Sequence, residues 1–571
     1  MEAIMKKLST GIDIFETLLE QDCYYVDKTL LIKEIIEESG QVKLFTRPRR
    51  FGKSLNMTML KSFFEIDGNP ALFDGLNITK DTELCNAYMG QYPVIWLTLK
   101  GVDALNFKSA LYAFASVIGN AVNNFYFLEN SPALTEEEKG KYRQLLTLYT
   151  GINTVDSPEN LLNMSLYDLT SLLCKHFGKP VVLLIDEYDV PLDKAHIHGY
   201  YDEMVNLIRN MFHNVLKSNP YLAFAVLTGC LRISKESIFT GLNNLKVYSI
   251  SDSNCDTYFG FTEAETEAML TYYGATKKKP VVKEWYDGYR FGDTDMYCPW
   301  DLLQYCDALM HNPESSPRNY WINSSGNDLV REFVQISTES TTKDLEDLIA
   351  GKSVKKFINE ALTYRDLDSS IDNLWSVLYT TGYLTGFIDE DGQYNLRIPN
   401  KEVQEIYEKD IIAWFNQKVK DDTESGTRFY EASLSGNPGE MEAVLTELLQ
   451  RSVSIRDTFT RKALRENFYH GFVLGLLSRY QDIESNSESG NGYSDIIIKN
   501  YKQKTAAILE LKYADSDSIE VMEKACQEGL NQIEKQKYDA GLLRTGLIKT
   551  ILKYGISFNK KLSCVRQGNN D

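Results

Sequence analysis

Three consecutive residues, Gly52, Lys53 and Ser54, lie between an apolar segment and an amphipathic one, and this junction constrains the fold more than any other feature. Residues 41–47 read as a buried strand, and residues 53–66 read as a helix because their apolar side chains recur at helical spacing. The N-terminus of a helix carries unpaired N–H groups and a partial positive charge, which stabilise an anion. The pattern therefore predicts a phosphate-binding loop between a strand and a helix.

Such a loop implies ATP and Mg²⁺ as cofactors. Lys53 is expected to reach the β- and γ-phosphates, and the Ser54 hydroxyl is expected to complete the Mg²⁺ shell. One position departs from the G-x-x-x-x-G-K-[ST] pattern, because Arg47 stands where its first glycine should be. A helix that merely begins with Gly-Lys-Ser is the alternative. The other loop residues predicted to contact the nucleotide are Arg49, Arg50, Phe51, Gly52 and Leu55.

Two further apolar strands end in polar residues that would complete a nucleotide site. Residues 181–186 end at Asp186 and Glu187. Asp186 would bind the Mg²⁺ water shell, and Glu187 would polarise the water that attacks the γ-phosphate. Residues 221–229 contain Thr228, a candidate γ-phosphate sensor, and Arg232 follows as a candidate arginine finger. An ordinary turn threonine and a surface arginine remain the alternatives for this pair.

Composition indicates soluble globular domains. The chain has 571 residues, of which 43% are hydrophobic and 25% charged, enough for three or four packed units. No apolar run approaches the roughly 18 residues that span a bilayer, and the first residues lack a signal-peptide pattern, so a cytoplasmic protein without a membrane partner is expected. The nine cysteines form no C-x-x-C pair, which argues against a zinc site or a disulfide framework.

The net charge of −19 argues against a surface that coats DNA generally. A local basic patch is still available, because residues 541–570 contain several lysines and arginines and no acid. This segment is either a solvated surface or a nucleic-acid contact.

A second chemical signature lies near the C-terminus. Asp495 begins one apolar strand, and the next strand contains Glu510 and Lys512, which alternation places on one face. Asp495 and Glu510 could ligate Mg²⁺ together, while Lys512 positions or activates a water. A surface hairpin without chemistry is the alternative for this loose pattern.

The segments around these strands strengthen the prediction. A helix over residues 461–480 places Glu466, a candidate extra acid, and His470 on one face. His470 is either a general base or an ordinary helix-surface histidine. A helix over residues 519–538 carries Gln532 as a positioning group, and a strand is expected around residues 545–552. This order of helix, strands, helix and strand is typical of a restriction-endonuclease-like α/β core.

Taken together, these motifs resemble the AAA-ATPase-like family of bacterial and archaeal proteins that is fused to a PD-(D/E)XK nuclease superfamily domain. The resemblance spans nearly the whole chain. It implies that Arg47-Pro48, in place of the first glycine, is a usual feature of that family. The matching segments are YVDK at 25–28, RPRRFGKS at 47–54, LLIDEYD at 183–189, LTG at 227–229, RISKE at 232–236, WYDGY at 285–289, YWIN at 320–323, FYHG at 468–471, SD at 494–495 and ELK at 510–512.

Together the residues and the resemblance predict an α/β protein in three parts. Residues 1–250 would form a P-loop NTPase domain with a parallel sheet of the additional-strand type, in which the Thr228 strand lies between the Lys53 and Asp186 strands. Residues 251–455 would form a mainly helical middle region. Residues 456–571 would form the restriction-endonuclease-like α/β domain.

The leading function is that of an ATP-binding and ATP-hydrolysing protein with a Mg²⁺-dependent nuclease domain that acts on DNA. The resemblance implies defence or mobile-element biology. One alternative is a switch ATPase whose C-terminal domain binds nucleic acid or a protein partner without cleavage. Another is a scaffold that binds nucleotide but never hydrolyses it. A homo-oligomer stays open, since Arg232 could act in its own or in a neighbouring subunit.

Overall fold

The computed structural model divides the chain into two compact units, Met1–Ser325 with Lys355–Val403 and Gly326–Val354 with Gln404–Asp571. The described residues are 5–150, 157–231, 238–239, 241–321, 339–360, 362, 371–409, 422–451, 462–489, 492–539, 542 and 547–568.

The first unit contains a five-stranded sheet in which every pair of neighbours is parallel. Its strands are β1 (Val42–Thr46), β2 (Val94–Thr98), β3 (Val181–Asp186), β4 (Leu222–Gly229) and β5 (Leu245–Tyr248). The order is β2-β3-β4-β1-β5, so β4 lies between β1 and β3. This order confirms the predicted additional-strand sheet. Because the strands are parallel, their C-terminal ends meet at one edge, where ligands bind in open α/β sheets.

Helices cover the sheet and supply the crossovers that parallel strands require. Apolar side chains of the helices within residues 107–216 bury a core whose members include the β3 side chains. The helices are α1 (Phe15–Glu20), α2 (Leu31–Glu37), α3 (Lys53–Phe64), α4 (Thr82–Tyr88), α5 (Phe107–Asn123), α6 (Glu136–Thr150), α7 (Pro158–Phe177), α8 (Val190–His198) and α9 (Tyr201–Leu216).

The middle region is mainly helical, as predicted, and also carries two small sheets with the orders β6-β8-β7 and β10-β11-β9. Residues 401–409 are helical as well. The bounds are β6 (Phe261–Thr262), β7 (Tyr289–Phe291), β8 (Thr294–Tyr297), β9 (Val354–Lys356), β10 (Thr385–Ile388), β11 (Tyr394–Arg397), α10 (Glu263–Tyr272), α11 (Lys279–Tyr286), α12 (Pro299–His311), α13 (Glu339–Ile349) and α14 (Ile371–Thr380), with α13 in the second unit.

The second unit is built on a mixed sheet of order β12-β13-β14-β15-β16. Only the β14–β15 pair is parallel, and α18 connects these two strands. This arrangement confirms the predicted restriction-endonuclease-like class. The elements are α15 (Thr423–Ser435), α16 (Pro438–Arg451), α17 (Lys462–Leu477), α18 (Ile519–Gln536), β12 (Ile483–Ser489), β13 (Gly492–Asn500), β14 (Thr505–Tyr513), β15 (Thr550–Asn559) and β16 (Leu562–Gln567).

Close packing of α18 on the sheet depends on a glycine. A Cβ atom at Gly555 of β15 would lie 2.0 Å from the carbonyl oxygen of Cys526 in α18. Only a residue without a side chain allows this approach. Gly555 therefore helps to fix α18, and with it Gln532, against β14 and β15.

The predicted domain boundaries at 250/251 and 455/456 stay predictions, and the second one falls outside the described residues. In the second unit, α16 packs against β16, where Thr446 and Ser563 hydroxyl oxygens lie 2.9 Å apart. Within the described part of the chain, no helix combines the length and the apolar character needed to cross a membrane.

Candidate functional site

The C-terminal edge of the parallel sheet brings together three of the predicted nucleotide residues. Asp186, at the end of β3, is 2% exposed. Its Oδ2 accepts a hydrogen bond from the Ser54 hydroxyl at 2.5 Å, and its Oδ1 accepts one from the Thr228 hydroxyl. Ser54 belongs to the first turn of α3, and Thr228 lies near the end of β4. One carboxylate thus links the loop after β1 to the neighbouring strand.

Lys53 is buried beside the same loop. Its Nζ donates to the carbonyl oxygens of Arg47 at 3.0 Å and Pro48 at 2.9 Å, and it lies 3.6 Å from the Cys230 sulfur. No salt bridge in the described part of the chain joins Lys53 to a carboxylate. Gly52 precedes it with a φ of 80°, a left-handed conformation that favours glycine. Among the described residues, the hydrogen-bond partners of the Lys53 ammonium therefore include two carbonyl oxygens and no carboxylate.

Arg47 explains why the loop lacks its first glycine. The guanidinium is fully buried and donates to the carbonyl oxygens of Thr46 at 2.9 Å, Tyr248 at 2.8 Å, Ser249 at 2.7 Å and Cys255 at 3.4 Å. Burial lowers the pKa of Arg47 to about 10, so the group remains charged at neutral pH. Arg47 therefore ties the start of the loop to the end of β5.

The next side chains of the loop also contact the protein. The Arg50 guanidinium lies 4.7 Å from the Trp300 ring centroid and donates to the Tyr320 carbonyl oxygen at 3.2 Å. Phe51 is fully buried with its ring centroid 4.9 Å from those of Tyr289 and Phe291. Contact of Arg50 and Phe51 with a nucleotide stays a prediction.

Two other predicted loop residues are placed differently. Arg49 is exposed, and its charge acts on the carboxyl of Asp193 at the start of α8. Leu55 is half-buried in the first turn of α3. Contact of either residue with nucleotide stays a prediction.

Glu187 follows Asp186 in a left-handed conformation with a φ of 52°. Such a backbone conformation costs energy for a residue with a side chain and is frequent at functional sites. Burial raises the pKa of Glu187 above its usual range, while the charge of Lys53 opposes the rise. Arg232 lies outside the described residues.

The structure adds two residues to which the sequence assigned no role. Asp189 is 4% exposed, and its carboxylate accepts backbone hydrogen bonds from Cys230 and Leu231, directly after β4. Tyr188 donates its hydroxyl to the Leu231 carbonyl oxygen at 2.6 Å. The signal was available in the motif, since both residues follow Asp186-Glu187.

A buried acid pair lies beside Arg50. Asp301 Oδ1 is 3.9 Å from an Arg50 nitrogen, and Glu402 accepts backbone hydrogen bonds from Tyr320 and from Trp321, the latter at 2.8 Å. Burial, with the adjacent Asp301 charge, raises the pKa of Glu402 well above its usual range, and burial raises the pKa of Asp301 as well. Nothing in the local sequence indicates this pair, because the two acids are far apart along the chain.

The second unit brings together the predicted residues of the C-terminal signature. Lys512 Nζ donates to Glu510 Oε1 at 3.0 Å and to the Gln532 side-chain oxygen at 2.8 Å. Asp495 Oδ2 accepts a hydrogen bond at 2.8 Å from the backbone N–H of Leu511, the residue between Glu510 and Lys512. This bond joins β13 to β14. Asp495, Glu510, Lys512 and Gln532 therefore form one cluster on β13, β14 and α18.

Glu510 is the most buried member of this cluster, with 1% exposure. Burial raises the pKa of Glu510 to about 7; the negative charge of Asp495 adds to the rise, and Lys512 opposes it. Within the described residues, its Oε2 atom has no hydrogen-bond partner. A buried carboxylate oxygen of this kind suits a cation ligand.

The remaining predictions for this cluster have mixed outcomes. His470 Nε2 lies 3.1 Å from the Asp495 carbonyl oxygen and 3.2 Å from the Ser485 hydroxyl, so its ring contacts the backbone of β13. Glu466 belongs to α17, but its side chain is outside the described part. Among the described side chains, no group of three or more histidines, cysteines or acids could hold a metal. A third carboxylate ligand from Glu466 stays a prediction.

Part of the basic segment near the C-terminus is neutralised by acids. Lys553 pairs with Glu534 at 2.7 Å and Asp539 at 2.8 Å. Arg566 pairs with Glu442 at 3.2 Å and Glu523 at 2.6 Å. These two cations therefore contribute less to a nucleic-acid surface than the sequence suggested.

Comparisons with known proteins match two separate parts of the chain. Residues 9–239 match a family model described as "Predicted AAA-ATPase", and residues 464–567 match the PD-(D/E)XK nuclease superfamily. The two matches confirm that the chain fuses an AAA-ATPase-like domain to a PD-(D/E)XK nuclease superfamily domain. The chain is also similar to an uncharacterized protein in the vnfD 5′ region of Azotobacter chroococcum mcd 1. The identity is 27% over 497 residues, which cover 84% of this chain and 85% of that protein.

Proposed function

We propose that the protein binds and hydrolyses ATP with Mg²⁺ at the edge of β1, β3 and β4, and that its C-terminal domain cleaves DNA in a metal-dependent reaction. The observation that carries the ATPase proposal is Asp186, whose carboxylate accepts hydrogen bonds from the Ser54 and Thr228 hydroxyls near the loop that holds Lys53. The cluster of Asp495, Glu510 and Lys512 supports the nuclease proposal. A role in defence or mobile-element biology is proposed from the family resemblance.

The residues of the first cluster fit a nucleoside triphosphate with its metal. Lys53 can exchange its two carbonyl partners for phosphate oxygens, which are stronger acceptors because they are charged. Ser54 and Asp186 present a hydroxyl and a carboxylate, both of which are oxygen donors that Mg²⁺ prefers. Glu187 would orient the attacking water and accept its proton. The metal supplies charge neutralisation at the phosphate oxygens.

The second cluster fits phosphodiester hydrolysis. Asp495 and Glu510 would hold a divalent cation, which would stabilise charge on the phosphate. Lys512 carries a positive charge beside these acids, and Gln532 fixes its ammonium by a hydrogen bond. Lys512 would therefore position a water and offset charge in the transition state. Gln532 itself bonds to the Tyr538 hydroxyl at 3.3 Å, which limits its movement.

Nucleotide binding is tested by calorimetry of the full chain with ADP and Mg²⁺. Lys53→Ala is expected to lose binding, whereas Lys61→Ala, on the same helix but paired with Glu65, is expected to retain it. Glu187→Gln should keep binding and lower turnover roughly 10²-fold, as the loss of a water-positioning base does. A wild-type protein that binds neither ADP nor ATP would refute the ATPase proposal.

Cleavage is tested with single-stranded, duplex and branched DNA and with RNA, in ATP and either Mg²⁺ or Mn²⁺. Lys512→Ala should abolish product while Lys524→Ala, at an exposed position of α18, should not. Equal product from wild type and Lys512→Ala would identify contamination. The switch ATPase without cleavage would then be the better description.

A further inference from the structure

The turn that follows β4 is fixed by the two residues that follow the acids of β3. Asp189 Oδ2 accepts the backbone N–H groups of Cys230 at 2.8 Å and Leu231 at 3.0 Å. Tyr188 donates its hydroxyl to the Leu231 carbonyl oxygen at 2.6 Å and its backbone N–H to the Thr228 carbonyl oxygen at 3.0 Å. Four hydrogen bonds therefore hold Thr228, near the end of β4, and the next residues Cys230 and Leu231.

The backbone at Gly229 passes close to the side chains of Tyr188 and Asp189. A Cβ atom at Gly229 would lie 2.6 Å from a ring carbon of Tyr188 and 2.8 Å from Asp189 Oδ1. Both distances are shorter than real Cβ contacts, so the chain passes these side chains only because residue 229 is glycine. The turn is thus set against Tyr188 and Asp189 by sterics as well as by hydrogen bonds.

The charge of Asp189 is costly at this place. A buried carboxylate loses its hydration, and burial raises the pKa of Asp189 while the two N–H donors oppose the rise. Charged acceptors form stronger hydrogen bonds than neutral ones, which offsets part of this cost. An apolar side chain would avoid the desolvation cost but would leave the Cys230 and Leu231 N–H groups without their acceptor.

The fixed turn touches both sides of the nucleotide site. Thr228 donates its hydroxyl to Asp186, and the Gly229 carbonyl oxygen accepts the Arg47 N–H at 3.1 Å. The Cys230 sulfur lies 3.6 Å from Lys53 Nζ. A displacement of the turn would therefore move the Thr228 hydroxyl relative to Asp186. It would at the same time move the Cys230 sulfur relative to Lys53.

We infer that Asp189 is a positioning residue for ATP hydrolysis, which acts by holding the Thr228–Leu231 turn in register with Asp186 and Lys53. The inference rests on the proposed ATPase function. It concerns turnover rather than nucleotide affinity, because the Gly52–Ser54 loop and the N-terminus of α3 hold phosphate without the turn. A shift of about 1 Å in a catalytic group can cost roughly 10²-fold in rate.

The test compares ATP turnover with ADP affinity in the full chain. In Asp189→Asn the amide oxygen can still accept both N–H groups but is neutral, and kcat should fall roughly 10-fold. Tyr188→Phe removes only the hydroxyl bond to Leu231 and should cause a smaller loss in kcat. In both variants ADP affinity, measured by calorimetry, should stay within about threefold of wild type because the phosphate loop is intact.

Asp74→Asn, at an exposed position between α3 and α4, is the control and should turn over like wild type. Wild-type turnover in Asp189→Asn would overturn the positioning role and leave the proposed ATPase intact. A loss of ADP affinity equal to the loss of kcat would also overturn it, because it would indicate a structural role only. A wild type that does not bind ADP would overturn the proposed function and this inference together.

Discussion

Glu510 shows how a single carboxyl can make metal binding depend on pH. Burial and the charge of Asp495 raise the pKa of this carboxyl to about 7, so its protonation changes in the range around neutral pH. A metal binds the ionised carboxylate and must displace that proton. Affinity for Mn²⁺ should consequently rise from pH 6 towards pH 8, by up to about 10-fold per unit below the pKa.

This prediction is measured by calorimetry without nucleotide at pH 6 and 8, in buffers of different ionisation enthalpy that report proton release. An Asp186→Asn background removes the other predicted metal position. Glu510→Gln should lose most of the binding and its pH dependence, while Glu520→Gln, at an exposed position of α18, should change neither. Equal wild-type affinity at the two pH values would contradict the assignment of Glu510 as a ligand.

At the scale of elements, the loop between β1 and α3 is held by side chains that replace the expected glycine pattern. Arg47 donates to the carbonyl oxygens of Tyr248, the last residue of β5, and of Ser249, so Arg47→Gly would restore the familiar motif but leave those carbonyls without their donor. We expect a loss of roughly 3 kcal/mol or more in the free energy of unfolding, and no gain in ADP affinity. The free energy of unfolding of Arg47→Lys should lie between those of wild type and Arg47→Gly, because an ammonium donates to fewer carbonyl oxygens than a guanidinium.

Thermal and urea unfolding of the full chain, with ADP calorimetry alongside, would measure these effects. An Arg47→Gly protein as stable as wild type would contradict the structural role of the arginine. Tighter ADP binding in that variant would show instead that Arg47 obstructs the loop.

The elements that could be predicted from the sequence are those whose own residues show that they are buried. The parallel strands are buried on both faces and read as apolar runs, so β1, β3 and β4 lie within a residue or two of their predicted bounds. In contrast, the sequence does not predict β12, which reads IESNSES. Its own residues carry no apolar pattern, and the strand forms by pairing with β13. The last predicted strand was placed about five residues early, since Tyr554, Ile556 and Phe558 alternate with small or polar residues.

The candidate sites follow the same rule. Motif residues such as Ser54, Asp186 and Lys512 could be proposed because their spacing relative to strands and helices fixes their neighbours. The contacts of Asp189 could not, because its two N–H partners lie about 40 residues farther along the chain. The Asp301–Glu402 pair is separated by about 100 residues and has no motif.

At the scale of the whole molecule, the open question is whether one chain completes its own nucleotide site. In the sequence Arg232 follows Leu231, whose backbone N–H donates to Asp189. The sulfur of the preceding residue, Cys230, lies 3.6 Å from Lys53 Nζ. An arginine that neutralises transition-state charge affects turnover more than ground-state binding. Arg232→Ala should therefore lower kcat by on the order of 10³-fold and leave ADP affinity nearly unchanged.

Mixing two inactive variants would show which subunit supplies the arginine. If Arg232 acts in a neighbouring subunit, Arg232→Ala and Lys53→Ala chains complement each other, because a mixed pair contains one site with both residues intact. For a dimer that exchanges subunits, an equal mixture should regain roughly a quarter of wild-type turnover. If Arg232 acts within its own chain, the mixture stays inactive, and light scattering in ATP should give the same mass for Arg232→Ala as for wild type. A parallel loss of turnover and ADP affinity in Arg232→Ala alone would exclude both versions, since it would show that the residue supports the fold or the base instead.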